Sequence, residues 1–122
     1  ARAAIAISNH DTALGRRELA RARQNELTAI ARNPLDITPL SALGFIYGDQ
    51  GRDDLARTTF LREVRLQPSN TQAWQDLASY YLGVGNYAAA SQAYGTALYL
   101  APQTPDLKRQ YIETLSQASA QH

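Results

Sequence analysis

Apolar side chains recur along the chain at intervals of three and four, and the same order of positions returns after a fixed distance. Leu40, Leu43, Gly44 and Tyr47 stand at i, i+3, i+4 and i+7, and Trp74, Leu77, Ala78 and Tyr81 repeat that spacing. This spacing puts each set of four on one helical face. A break follows each set, at Gly51 and Gly85, where a residue free to take positive φ suits a helix end. A second stripe runs through Ala56, Phe60 and Val64, matched by Ala90, Tyr94 and Leu98, with Leu66, Ala97 and Leu100 adding to the inner face. The unit read from this pattern is helix, turn, helix.

The distance of repetition is set by proline. Pro34, Pro68 and Pro102 are each 34 residues apart, and two residues after them stand Asp36, Asn70 and Thr104. Each proline closes one helix, and the residue two later offers a side-chain oxygen to the free amides of the next. Helices are predicted near 12–32, 37–48, 53–66, 71–83, 86–100 and 105–118, with no strand. In the first of these Leu14, Leu19, Ala22, Leu27, Ile30 and Ala31 form the apolar face, with Asp11 or Thr12 as cap. Ahead of it, residues 2–8 read as a degenerate helix or as the remainder of one left in a longer polypeptide. In the last, Pro105 opens the first turn, where no amide donor is needed. Leu107, Tyr111 and Leu115 form its inner stripe with Ile112 at the edge, while Lys108, Arg109, Gln110, Glu113 and Gln117 face water and residues after Ser116 fray.

On these residues the chain resembles the tetratricopeptide repeat family. The run Trp74, Leu77, Ala78, Tyr81, Gly85, Tyr87, Ala90, Tyr94, Ala97 and Pro102 is similar to the family signature nearly throughout. The preceding run matches at Leu40, Leu43, Gly44, Tyr47, Ala56, Phe60 and Pro68, but carries Glu63 where the family usually has Ala, a local packing adjustment. The resemblance implies an all-α, right-handed superhelix of helix-turn-helix units. Its parts would be a partial repeat over 1–36, full units over 37–70 and 71–104, and a capping helix with a tail over 105–122, one domain in all. Small residues at Gly44, Ala56, Ala78 and Ala90 would let helices approach, and Tyr47, Phe60, Trp74, Tyr81 and Tyr94 would fill the wider gaps, with Trp74 largely buried.

Composition narrows the chemistry. Twelve basic against eleven acidic residues leave a formal net charge of +1, which is not the footprint of a nucleic-acid binder. With no Cys and two distant His, disulfides, thiolate catalysis and a metal cluster are not expected, and no cofactor is. No apolar run is long enough to span a membrane, and Ala-Arg-Ala-Ala-Ile at the start is too short for a secretory core. His10-Asp11 lacks a nucleophile elbow, and His122 is terminal. Gly83-Val84-Gly85 lacks the lysine of a phosphate loop and reads as a turn. Arg16, Arg17, Arg21 and Arg23 are interleaved with Glu18 and Glu26 and read as a solvated helix face. Tyr80 and Tyr99 are the tyrosines left free for surface contacts.

What remains is a groove. By the resemblance, the first helix of each unit lines the concave side, which falls on Thr38, Ser41, Phe45 and Asp49, then Gln72, Gln75, Ser79 and Leu82, then Arg109 and Glu113. The Lys, Asn and Arg constellation with which one subfamily grips a peptide carboxylate is not present at these positions. The expected function is a non-enzymatic protein-protein interaction module that takes a peptide or partner helix in this groove, with Phe45 as apolar anchor. The alternative is an accessory soluble repeat domain of a bacterial membrane-bound polysaccharide ligase- or polymerase-like protein, or of another envelope assembly protein. In its Arg-rich, Lys-poor, Met-free composition the chain resembles the repeat segments of such proteins. Self-association through the N-terminal edge is a further expectation.

Overall fold

The computed structural model describes residues 13–34 and 36–121. Among them the chain forms six α-helices and no strand: α1 (Ala13–Arg32), α2 (Thr38–Asp49), α3 (Asp53–Leu66), α4 (Thr71–Gly83), α5 (Tyr87–Leu100) and α6 (Pro105–Ala120). Every predicted helix is present, and no boundary differs from its expectation by more than two residues. Residues 2–8, His10, Asp11, Thr12 and His122 lie outside the described residues.

The helix ends follow from the repeated punctuation. Gly51 and Gly85 take φ of +74° and +81°. Around them the same two bonds recur one period apart. Arg52 N–H reaches Tyr47 O at 2.8 Å and Gly51 N–H reaches Gly48 O at 3.0 Å, and their counterparts run from Asn86 to Tyr81 and from Gly85 to Leu82. This pairing satisfies carbonyls that a helix end leaves open. At the starts, Asn70 accepts from Gln72 N–H at 2.9 Å and Asn86 accepts from Ala89 N–H at 3.1 Å. The carboxylate of Asp36 accepts from Thr38 N–H at 3.0 Å, one residue ahead of the formal cap at Ile37. Thr104 departs from expectation: it sits at the cap position of α6 without a side-chain bond. Pro105 has no amide to offer, so the start of α6 relies on proline's fixed φ.

The chain packs as two compact units, one ending at Leu66 and the other beginning at Gln67. In the first, α2 packs on both α1 and α3. Leu19 of α1 meets Ile46 with Ala22 alongside, and Ile30 meets Leu40 and Leu43, with Tyr47 against them. Phe60 of α3, 1 % exposed, lies over Gly44, where an added Cβ would stand 2.5 Å from the ring. Glu63, at the position read as a packing adjustment, is wholly buried. In the second unit α5 packs on both α4 and α6. Ala73, Ala78, Ala90 and Ala97 are fully buried there beside Leu77, Tyr94 and Leu107, so close backbone approach does much of what large side chains do in the first unit.

Several inner positions differ from the sequence reading. On α1 the covered face is Gly15, Leu19 and Ile30 with Ala22 and Glu26 half-buried, while Leu14, Leu27 and Ala31 are exposed. On α6 it is Leu107, Thr114 and Ala118 with Tyr111 half-buried, while Leu115 and Ile112 are exposed. Leu66 is also exposed. Several of the covered positions are small or polar, and the leucines beside them, being more apolar, point the sequence pattern to the wrong side of the helix. The helix α6 does not stop at Ser116: Ala118 is buried, and Gln121 Nε2 reaches Gly85 O at 3.4 Å. Trp74 is half-buried instead of buried, because its indole N–H donates to Pro68 O at 2.8 Å and holds the ring edge near the surface.

Candidate peptide-binding face

On α2, the spacing of Thr38, Ser41, Phe45 and Asp49 places them along one side of the helix, and none of the four is fully buried. Phe45 is half-buried. Its ring meets Phe60 of α3, in the same unit, edge-on, with centroids 5.0 Å apart and planes at 67°.

On α4, Gln72 and Ser79 are exposed and Gln75 and Leu82 half-buried. Gln72 Nε2 donates to the carboxylate of Asp76 at 2.9 Å, one turn on. Ser79 hydrogen-bonds Tyr94 of α5. Burial pushes the Tyr94 phenol above its ordinary pKa, and the bond from Ser79 offsets part of that rise by favouring the phenolate.

Within the second unit, two of the expected groove residues come together at one cavity. Leu82 and Glu113 line a space of about 390 Å³ with Tyr87, Tyr94, Gln110, Thr114 and Gln117. Its walls are the end of α4, two tyrosines of α5 and one face of α6. That volume lies in the range of pockets that take small ligands or single side chains. Gln110, Glu113, Thr114 and Gln117 follow the spacing i, i+3, i+4, i+7, which is one helical face, and this was the signal by which the sequence could have assigned Gln110 and Gln117 to the site. Arg109 lies outside the cavity lining and pairs with Asp106 at 3.1 Å. A second space of about 610 Å³ lies between α5 and α6, lined by Ser91, Gln92, Gly95, Thr96, Tyr99, Tyr111 and Leu115. Tyr99 is 84 % exposed there, whereas Tyr80 packs edge-on to Tyr81 at 5.2 Å.

The remaining candidates carry less. Arg16, Arg17 and Arg21 are exposed on α1, and burial raises the Glu26 carboxyl above its ordinary pKa on the same helix. Among the described residues no group of His, Asp and Glu could hold a metal ion, and no helix is long and apolar enough to cross a membrane.

Residues 71–104 match the family model of the tetratricopeptide repeat. No curated protein sequence matches the chain. Among solved structures, a thermophilic TPR protein from Thermus thermophilus superposes with a TM-score of 0.77 at 27 % identity, over 83 % of this chain and 52 % of its own. This chain therefore spans about half the length of that protein. The first TPR of Spaghetti (RPAP3), bound to an HSP90 peptide, gives 0.71 at 16 % identity, over 98 % and 94 %. The Yersinia enterocolitica type III secretion chaperone SycD, in complex with a peptide of the translocator YopD, gives 0.66 at 18 % identity, over 93 % and 85 %. The all-α fold is that of these repeat structures.

Proposed function

We propose that the chain is a non-enzymatic protein-interaction module that holds a peptide segment against the exposed side of α4 and α6. The observation that carries this reading is a cavity whose lining includes Leu82 and Glu113, two of the residues expected in the groove. Two proteins of similar fold are seen with peptides, from HSP90 and from YopD. That likeness supports a peptide as the class of ligand for this chain, while the residues that would read it are its own.

Selection of a displayed peptide library against the intact chain tests this. Gln110 is exposed at the cavity wall, so Gln110→Trp fills the space while leaving the core in place. Peptides enriched by the wild type should be lost on this variant while its helical circular dichroism and unfolding midpoint stay unchanged. Equal enrichment by both proteins would remove the cavity from the binding face.

A further inference from the structure

The cavity on the second unit has a chemical bias that a peptide-binding role does not by itself require. Of its seven lining residues, Glu113 alone is charged. Among the described residues its carboxylate has no ion pair and no hydrogen bond, and the cation one turn before it, Arg109, is engaged by Asp106. Around this free carboxylate stand the side-chain amides of Gln110 and Gln117, the phenol rings of Tyr87 and Tyr94, and the apolar wall of Leu82. Carboxylate and amide oxygens accept hydrogen bonds, and aromatic faces present the negative side of their quadrupole. An anion entering this space meets like charge, and a neutral chain leaves the carboxylate unused. A guanidinium or ammonium group on an alkyl stem meets acceptors at its head and apolar surface along its stem.

We propose that this cavity selects a basic side chain, arginine or lysine, in the bound segment, with Glu113 as its counter-charge. The inference rests on the peptide-binding reading above and adds the polarity of the ligand.

The test uses capped single residues as probes: N-acetyl-argininamide, N-acetyl-lysinamide and N-acetyl-citrullinamide, the last a neutral near-isostere of arginine. Each is titrated into the ¹⁵N-labelled chain and followed by amide shifts. The cationic probes should move the amides of Leu82, Tyr87 and residues 110–117, and should bind about fivefold tighter than citrulline, a typical gain for one partly exposed charge with aromatic support. Glu113→Gln should bring arginine and lysine down to the citrulline value while leaving the citrulline response in place. If citrulline moves the same amides as strongly as arginine, the cavity binds without regard to charge, and the selection is overturned while the peptide reading stands. If no probe moves these amides, both fall. If arginine binds and lysine does not, a guanidinium is selected and the proposal holds in that narrower form.

Discussion

Gly44 shows how a single residue type fixes a helix crossing. An added Cβ there would lie 2.5 Å from Phe60 Cε1, and that ring is 1 % exposed and braced at its edge by Phe45, so it has nowhere to go. Gly48, one turn on in the same helix, has no atom within 4 Å of the same construction. Alanine removes backbone freedom from the unfolded chain at either position, a gain of up to about 1 kcal/mol, but at Gly44 overpacking costs about 1–3 kcal/mol against it. Gly44→Ala should therefore lower the urea midpoint and Gly48→Ala should raise it or leave it unchanged. Tyr94 yields a second expectation at this scale. Its folded-state pKa lies above the ordinary value of about 10, so the unfolded chain loses that proton first as pH rises. The stability this group contributes is complete below about pH 10 and is lost as pH climbs through the folded pKa. Urea unfolding at pH 9 and pH 11 should show a smaller drop for Tyr94→Phe than for the wild type.

At the scale of the helix, what the sequence made legible is where each element begins and ends. The 34-residue spacing of Pro34, Pro68 and Pro102 checks the boundaries of the middle helices against one another, and glycine at 51 and 85 makes the turn in both repeats. Faces were less legible, and the errors cluster in α1 and α6. In the middle helices a counterpart one period away confirms which side is inward, as Leu43 does for Leu77. The two terminal helices lack that second copy, and their apolar leucines outweighed the small Gly15 and Ala118 and the polar Thr114 that are buried instead. For the same reason the cavity escaped the sequence reading in part: Gln110 and Gln117 look like any solvated residues until Leu82 of another helix is seen beside them. Thr104 likewise looks like a cap in the one-dimensional pattern and makes no capping bond. Asn70→Ala should cost about 1 kcal/mol, since Gln72 N–H loses its acceptor, whereas Thr104→Ala should cost no more than a few tenths of a kcal/mol. Thermal or urea unfolding of the two variants side by side measures the difference.

For the molecule as a whole, the question is whether charge or packing holds it together. A formal net charge of +1 produces little self-repulsion for salt to relieve. The pairs Arg57–Asp54 and Arg109–Asp106 are largely solvent-exposed, and such pairs contribute about 0–1 kcal/mol each before screening. Fully buried groups such as Glu63 are out of reach of mobile ions, so salt does not act on them either. Raising NaCl from about 0.05 M to about 0.5 M, which shortens the Debye length severalfold, should therefore change the free energy of unfolding by less than about 1 kcal/mol. Binding of a cationic side chain at Glu113 should respond in the opposite manner. That carboxylate stands at an exposed position, so its attraction for the incoming charge is screened across the same salt range, and the arginine probe should weaken while the citrulline probe stays constant. A fold indifferent to salt beside a site sensitive to it would separate the two roles of charge within one chain. A large salt dependence of unfolding would instead mean that ion pairs, and not the interlocked stripes of α2 with α3 and of α4 with α5, set its stability.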